Sequence, residues 1–322
     1  MSFFGRLLGR RSGGGTALAV DPAYGDEELR LMLSQAAAGD RQSLLAGLAA
    51  VEDQAEQTWL LAAVSDVPGT QEWLPEAVAE QPDSALPLLL SGARQVSWAW
   101  EARTGARAKH VTREQWQLFG ERLEIAEQQL YEVAEREPSW LGPWYFLQIS
   151  ARGASLGPDV ARHRFEAALR RRPEHLGTHR QRLQQLCAKW GGSHEEMHDF
   201  ARIAMLAAPE GSPLGELVAL AHIEHWLDLD SGADHTYVNR KAVRDQLHEA
   251  ADRSVLHPAY GRPRGWQAAY NTFAMAFSIA GQPKTAHLLF RELGDTVTQF
   301  PWNYLSRTPV EAFTAHRAAA AR

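Results

Sequence analysis

The sequence predicts an all-α fold, a tetratricopeptide-like helical repeat array in which antiparallel helix pairs stack as an α-solenoid. Three observations predict it. No stretch alternates apolar and polar residues as a β-strand would, turn residues recur about every 12 to 18 positions, and one helix pattern returns at a nearly constant interval. This rhythm is typical of helix–turn–helix units, none of which can bury its apolar face without a neighbour.

The recurring pattern is a small residue, a large residue four positions later, an apolar residue three positions after that, and then a helix-ending proline. It occurs three times, the third time loosely: at Ala126, Leu130, Val133 and Pro138, at Ala161, Phe165, Ala168 and Pro173, and at Met197, Ala201, Ala204 and Pro209. The small residue lets two helices approach, the large one fills the next layer, and the proline stops the helix. A last unit of this kind is expected over residues 273–293.

Helix boundaries in the N-terminal part follow from capping and turn residues. The expected starts and stops are Gly25 or Asp26, Gly39, Asp40, Pro68-Gly69, Thr70, Asp83-Ser84 and Gly105. Asp40 and Thr70 are expected as N-caps, because their side-chain oxygens can accept from the first free backbone N–H groups.

The chain is expected to consist of a disordered leader and one long repeat domain. The predicted segments are a leader (1–20) and a single helical domain (21–322), which contains N-terminal helices (21–106), a tetratricopeptide-like core (107–226), a polar loop (227–240) and C-terminal helices (241–322). Apolar residues alternate with arginines in the leader, so a weak membrane contact through residues 3–11 is the alternative to simple disorder.

Composition excludes several classes of protein. A net charge of −6 without a dense basic block argues against a nucleic-acid binder. No apolar run approaches the ~20 residues of a membrane span. The single Cys187 lies in an apolar stretch and indicates a buried thiol in a reducing compartment. We therefore predict a cytoplasmic protein, and the absence of phosphate-binding and nucleophile motifs predicts no cofactor.

Residues 194–198, HEEMH, satisfy the H-E-x-x-H pattern of zinc hydrolases. In that reading His194 and His198 bind the metal from one helix face. Glu195 is then the general base, and Glu224 from the following helix is a third ligand. Capping explains the same string without a metal, because a serine after two glycines is a natural N-cap and acidic residues suit the positive end of a helix dipole. We favour the helix start, with a metal-dependent hydrolase as the alternative.

The preceding phrase KWGGS predicts a tight turn between two helices. Its glycines permit positive φ, and Trp190 would pack against the neighbouring layer. Alternatively, Lys189 and the free N–H groups at the helix start hold a carboxylate or phosphate. Lys189 and Trp190 are therefore candidate partner-binding residues.

His222 and His225 lie three positions apart and share one face of the next predicted helix. In a regular array this helix follows the one that begins at His194, so the two histidine pairs become neighbours. His222 and His225 are candidate partner-binding residues; the alternatives are ordinary packing of one of them, or a metal that both of them face.

A third candidate group is Trp98, Trp100 and Arg103, near the end of the fifth helix. The two tryptophans project from different helix faces, so they cannot be equally buried in one interface. An exposed tryptophan beside an arginine is a good anchor for a protein partner. Packing between two neighbouring helices is the alternative.

Three phrases are long and specific: SWAWEARTGARAKHV, ARHRFEAALRRRPEHLGTHRQRLQQLCAKWGGSHEEM and VALAHIEHW. With them, the stretch from Trp98 to Trp226 resembles a family of actinobacterial tetratricopeptide-like proteins with a KWGGSHEEM-type motif. The family has no assigned biochemical activity, so the resemblance implies the helical repeat fold and no function.

These features together predict a non-catalytic scaffold whose concave helical face binds a protein or peptide partner. The expectation rests on how repeat arrays are commonly used, because they present long continuous surfaces. The acidic net charge favours a basic or mixed partner.

Overall fold

A computed structural model describes residues 18–105 and 108–322 of the chain. Over these ranges the protein is all-α, with sixteen α-helices, four short 3₁₀-helices and one isolated parallel β-bridge. The α-helices are α1 (Glu27–Ala38), α2 (Arg41–Ala49), α3 (Gln54–Ser65), α4 (Thr70–Glu80), α5 (Ala85–Arg103), α6 (Arg113–Arg136), α7 (Gly142–Gly153), α8 (Pro158–Leu169), α9 (Leu176–Leu186), α10 (His194–Ala207), α11 (Glu216–Asp228), α12 (Ala233–Val238), α13 (Lys241–Arg253), α14 (Trp266–Ile279), α15 (Pro283–Leu293) and α16 (Pro309–Ala320). The 3₁₀-helices are Ala108–His110, Ala188–Trp190, Pro213–Gly215 and Trp302–Tyr304. The predicted all-α class is confirmed.

Local capping explains where the early helices begin, with one difference from prediction. Asp40 accepts a hydrogen bond from the Ser43 amide at 3.2 Å and caps α2 as predicted. Thr70 is not an N-cap: it is the first residue of α4, and its hydroxyl donates to the Val67 carbonyl at 3.0 Å. Gly69 takes the cap position with φ of 90°, a conformation that favours glycine.

Contacts divide the described chain into two compact units. Unit 1 comprises residues 27–182, and unit 2 comprises residues 18–26 together with 183–322. The boundary lies within α9 and inside the segment 107–226, which the sequence analysis treats as one core.

The predicted leader (1–20) is described only from residue 18 onward. Val20 forms the β-bridge with Val297, and the Asp21 amide donates to the Val297 carbonyl at 3.2 Å. The membrane contact predicted for residues 3–11 lies outside the described residues. Among the helices of the described part, none has the length and apolar character needed to cross a membrane.

In unit 1, α3, α5 and α7 contact one another, and α4, α6 and α8 pack beside them. The first copy of the repeat pattern forms the buried side of α6, where Ala126, Leu130 and Val133 are inaccessible to solvent. Gly92 lets α5 approach this side, because a Cβ at that position would lie 2.9 Å from the Leu130 side chain. The three apolar residues of this copy are therefore buried, as the pattern predicts.

The second copy of the pattern buries a residue that the pattern does not include. Arg164 on α8 is 2% exposed, whereas the adjacent Phe165 is half-buried. Arg164 donates to both carboxylate oxygens of Glu127, at 2.7 and 3.0 Å, and to the Leu147 carbonyl at 2.7 Å. These acceptors compensate the guanidinium for its lost hydration, which is what makes its burial tolerable.

Aromatic side chains form part of the core of unit 2 around α14, α15 and α16. The buried Trp302 stacks on Phe290 with ring centroids 5.8 Å apart and meets Phe313 edge to face at 5.5 Å. Its indole N–H donates to the Asn271 side-chain oxygen at 2.7 Å. The last predicted repeat unit, 273–293, corresponds to the end of α14 and to α15, which pack against each other.

The predicted loop 227–240 contains a helix, α12. Only Tyr237 and Val238 of this helix are buried. Because the other four positions are polar or small, the segment lacks the apolar periodicity that identifies a helix in a sequence.

Candidate functional site

Neighbouring helices enclose most of the aromatic group predicted at the end of α5. Trp100 is 7% exposed and meets Phe119 of α6 edge to face, with ring centroids 5.1 Å apart. Trp98 is half-buried beneath Arg122, whose guanidinium lies 3.5 Å from the ring centroid. Arg122 also donates to the Trp98 carbonyl at 2.6 Å. The two tryptophans therefore have separate partners, as their different helix faces require, and Trp100 offers little surface to a binding protein.

Arg103 lies between two tryptophans, one of which the sequence analysis missed. Its guanidinium is 5.8 Å from the Trp100 ring and 5.6 Å from the Trp116 ring. Arg152 of α7 approaches Trp100 at 5.5 Å. Trp116 is 39% exposed, so it is the more accessible tryptophan beside Arg103. Trp116 precedes Phe119 by one helical turn, and this spacing is the sequence signal that places both rings on the same side of α6.

The same spacing of polar residues occurs on two neighbouring helices of unit 1. On α5 and on α7, three polar residues at positions i, i+3 and i+7 share a helix face. Together with one residue after α3 and one on α9, they form what we name the polar face: Asp66, Arg94, Ser97, Glu101, Tyr145, Gln148, Arg152 and Gln181. No local sequence pattern identifies this face, because its members are scattered over some 115 positions of the chain and only helix packing brings them together.

The α5 side of the polar face is fully hydrogen bonded. The buried Arg94 donates to Glu101 at 2.7 Å, to the Ser65 carbonyl at 3.1 Å and to the Gln71 side chain at 2.9 Å. The hydroxyls of Ser65 and Ser97 lie 3.1 Å apart. The buried guanidinium of Arg94 therefore has three acceptor groups within the protein.

The α7 side of the polar face contains a polar group without a partner. Arg152 donates to the Gln181 side-chain oxygen at 2.9 Å, and the Gln181 amide lies 3.5 Å from the Tyr145 hydroxyl. Gln148 shares their helix face and is 6% exposed. Its amide nitrogen has no hydrogen-bond partner among the described residues. An unpaired buried amide destabilises a protein by about 1–3 kcal/mol. A hydrogen-bond acceptor placed beside the Gln148 nitrogen would remove this cost.

Two groups of the polar face have raised pKa values. Burial raises the pKa of the Asp66 carboxyl to about 6, against the opposing effects of a hydrogen bond from Ser97 and of the Arg94 charge. Burial also raises the pKa of the Tyr145 hydroxyl. Tyr145 is therefore a neutral hydrogen-bonding group, and Asp66 titrates near physiological pH.

The predicted KWGGS turn is confirmed in its backbone. Gly191 has φ of 91°, in the left-handed region. A Cβ on Gly192 would lie 2.2 Å from the Leu186 carbonyl oxygen, so that position excludes any side chain. Ser193 then caps α10, its hydroxyl oxygen accepting from the Glu196 amide at 3.1 Å. The predicted helix start at this serine is therefore correct.

The charge of Lys189 is already paired within unit 2. Its Nζ lies 2.6 Å from Glu224, whose side chain is 4% exposed. Glu224 also accepts from the Gln184 side chain at 2.6 Å and from the Tyr304 hydroxyl at 3.0 Å. The adjacent Trp190 is half-buried. The carboxylate thus connects the KWGGS turn, α11 and the C-terminal part of unit 2.

The arrangement does not assemble the predicted zinc ligands. Glu224 is held by the three donors just described, and Glu195 is exposed in the first turn of α10. Within residues 18–105 and 108–322, no group of three or more His, Cys, Asp or Glu side chains could hold a metal ion. No observation here favours the hydrolase alternative.

The two predicted histidine pairs meet in unit 2. His194 and His198 of α10 face His222 and His225 of α11, and we name these four residues the histidine cluster. The rings of His194 and His225 stack with centroids 3.9 Å apart. His198 Nε2 lies 3.0 Å from His225 Nδ1, and the His198 and His222 ring centroids are 4.7 Å apart. The adjacency expected from a regular helix order is therefore confirmed.

Two residues that the sequence analysis missed complete the hydrogen-bond network. The Tyr237 hydroxyl of α12 lies 2.7 Å from His222 Nδ1 and 3.1 Å from His198 Nε2. His222 Nε2 lies 3.0 Å from the Gln246 side-chain oxygen of α13. Because an amide oxygen only accepts, we infer that His222 carries its proton on Nε2 and that Nδ1 accepts from Tyr237. The phenol oxygen then accepts from His198, and every bond uses a neutral imidazole.

Burial keeps most of the histidine cluster uncharged. It lowers the pKa of His198 and of His225 to about 4, and the pKa of His222 to about 3. The neighbouring imidazoles lower these values further, because a charge on one ring opposes a charge on the next. His222 and His225 therefore lie inside a neutral network near pH 7.

Comparison with known proteins adds no family to these observations. No protein-family model and no curated protein matches this chain. The kinship with actinobacterial tetratricopeptide-like proteins stays a prediction from the quoted motifs. The polar face and the histidine cluster are therefore interpreted from their own chemistry.

Proposed function

We propose that this chain is a non-catalytic, tetratricopeptide-like scaffold that binds an extended segment of a partner protein along the polar face of unit 1. The observation that carries the proposal is the buried amide nitrogen of Gln148, which has no hydrogen-bond partner in the described part of the chain. A peptide carbonyl from a partner supplies that acceptor once the side chains that cover this buried nitrogen move aside. It removes a penalty of about 1–3 kcal/mol that the free protein carries.

The helix order supports a surface of this kind. In a solenoid of helix pairs, alternate helices line one continuous surface. In unit 1, α3, α5 and α7 contact one another and are separated along the chain by α4 and α6. The polar face is built from this alternate set, with α9 next in the same series.

The side chains of the polar face suit a peptide backbone and an acidic side chain. Tyr145 and Gln148 offer an uncharged hydroxyl and amide that match backbone C=O and N–H groups. Arg152 and Arg103 gather at one end, beside the exposed ring of Trp116. An arginine beside an exposed tryptophan is a common anchor. We therefore propose a partner segment with carboxylate or aromatic side chains at this end, in place of the basic partner expected from net charge.

Affinity capture from the source cells, quantified by mass spectrometry, tests this function when it is combined with stability measurements on each variant. Gln148→Leu removes the unpaired donor, so we expect it to raise the stability of the free protein while it abolishes capture of the partner. Arg152→Ala is expected to weaken capture at the charged end. Arg162→Ala is the matched control, because Arg162 is exposed on α8 and pairs with the still more exposed Asp159.

The two measurements on Gln148→Leu separate binding from folding. A variant that is more stable and captures nothing supports the proposed surface. Capture at the wild-type level by Gln148→Leu and by Arg152→Ala contradicts it, since both then behave as Arg162→Ala does.

A further inference from the structure

The short helix α12 is attached to unit 2 through few contacts. Its buried side chains are Tyr237 and Val238, whereas Ala233, His235 and Thr236 are exposed. The Tyr237 hydroxyl is one polar attachment, because it lies within hydrogen-bond distance of an imidazole on α10 and of one on α11. A second lies just after the helix, where Arg244 of α13 donates to the Asn239 side chain. Whatever breaks the two hydrogen bonds of Tyr237 weakens the hold on α12.

We propose that the histidine cluster is an acid-sensitive latch, which holds α12 against α10 and α11 near neutral pH and releases it on acidification. The latch is independent of the function proposed for unit 1, because every residue in it belongs to unit 2.

The hydrogen-bond geometry works only with neutral imidazoles. A protonated His222 carries an N–H on both ring nitrogens, so its Nδ1 can only donate to Tyr237 at 2.7 Å. The Tyr237 hydroxyl then faces two N–H donors, from His222 and His198, and neither ring accepts its proton. The contact between His198 Nε2 and His225 Nδ1 at 3.0 Å needs one donor and one acceptor. Protonation of both rings sets two N–H groups against each other. Acid therefore leaves the Tyr237 hydroxyl proton without an acceptor in the cluster and adds repulsion between α10 and α11.

The surrounding charges do not neutralise a protonated cluster. On α10, His194 stacks against His225, and on α11 the Asp228 carboxylate lies 3.0 Å from His194 Nε2. Arg240 follows α12, with its guanidinium 5.6 Å from the Tyr237 ring centroid. The side chain that α13 presents to His222 is the uncharged Gln246. Asp228 is thus engaged by His194, and the cation nearest Tyr237 adds to the repulsion.

The pKa values indicate the size of the effect. In the closed state the pKa of His198 and of His225 is about 4, and a released imidazole returns to its ordinary value of about 6.5. For one such residue, moving from pH 8 to pH 5 increases the opening equilibrium by about 30-fold. Several histidines acting together give a larger change.

Hydrogen–deuterium exchange of the full-length protein, corrected for the intrinsic pH dependence, measures the opening of residues 229–240. We expect exchange in this segment to increase between pH 8 and pH 5, by up to about 30-fold for each histidine released, while α14 and α15 stay protected. His198→Gln with His222→Gln keeps amides that can hydrogen bond and removes two titrating groups, so the increase should become smaller, with His225 accounting for what remains. His235→Gln is the matched control, because His235 is exposed on the same helix and lies outside the cluster.

The exchange of the wild-type protein at pH 8 and pH 5 tests the proposal even if the double variant fails to fold. Equal corrected exchange of residues 229–240 at pH 8 and pH 5 overturns the latch. An increase that α14 and α15 share equally also overturns it, because unit 2 then unfolds as a whole. If the double variant folds, its increase in exchange between pH 8 and pH 5 can be compared with that of His235→Gln. Equal increases would mean that groups outside the cluster cause the opening, and they would overturn the latch as well.

Discussion

The imidazole rings of His194 and His225 stack with centroids 3.9 Å apart and planes within 1° of parallel. Two rings at this distance pack favourably when at most one carries charge, since unit charges so close repel strongly at low dielectric. The cluster therefore couples the packing of α10 on α11 to the protonation state of its histidines. This coupling has a measurable consequence for stability.

We expect the free energy of unfolding to fall as pH decreases from 7 to 5. The pKa values of His198, His222 and His225 lie below the unfolded value of about 6.5, so the unfolded chain binds more protons in this range. The stabilisation is complete above about pH 6.5 and is lost as pH approaches 4. Urea denaturation at closely spaced pH values measures the slope. A slope that is unchanged in His198→Gln with His222→Gln contradicts the assignment to this cluster.

Asp66 is expected to act in the opposite direction. Because the pKa of its carboxyl is raised to about 6, its contribution to stability is complete below about pH 3.8 and is lost as pH rises through 6. Asp66→Asn mimics the neutral form and should stabilise the protein by about 1–3 kcal/mol at pH 7.5, with little effect at pH 4. Asp159→Asn, at an exposed position, is the control. A destabilised Asp66→Asn at pH 7.5 would show that the charged form is the preferred one.

The two glycines of the KWGGS turn should respond differently to alanine. Gly191→Ala is expected to cost about 1–2 kcal/mol, because φ of 91° is strained for an L-residue while no atom lies within 4 Å of the added Cβ. Gly192→Ala should cost about 3 kcal/mol or more, because its Cβ would lie 2.2 Å from the Leu186 carbonyl oxygen. Chemical denaturation measures the free energy of unfolding of the two variants. Equal losses of stability would contradict this prediction, because they would mean that the Leu186 backbone moves away from the new Cβ at little cost.

Lys189 and Glu224 should behave as a coupled pair. Lys189→Met leaves a buried carboxylate with its two remaining donors, and Glu224→Gln leaves the ammonium group unpaired. We expect the double variant to be more stable than the sum of the two single effects implies, with a coupling energy of about 1–2 kcal/mol. A double-mutant cycle in low salt measures it. Strict additivity would show that the contact contributes nothing.

Much of the local structure could be predicted from the sequence. The all-α class, the left-handed glycine in the KWGGS turn and the cap at Ser193 depend on a few consecutive residues. The meeting of His198 with His225 was predicted because helix order alone places α11 after α10. Thr70 shows the limit of such reasoning: a good capping residue became the first helical residue, since the glycine before it adopts the left-handed conformation more easily.

Other features depended on packing between distant segments. Tyr237 and Gln246 complete the histidine cluster, yet no local pattern links them to His222. Trp116 is more exposed than Trp100 because Phe119 and the end of α7 cover the latter ring. In the second repeat copy the buried side chain is Arg164, since Glu127 supplies the acceptors that make its burial tolerable.

The sequence by itself determined the all-α class, where the KWGGS turn lies and which helices carry the histidines, but it did not reveal α12. These properties follow from backbone conformational limits and from periodicity over a few residues. The tertiary structure alone decided which side chains are buried, which amide of the polar face lacks a partner and which hydroxyl joins the imidazoles. Burial and hydrogen-bond satisfaction depend on groups far apart in the chain, so they exist only after the helices have packed.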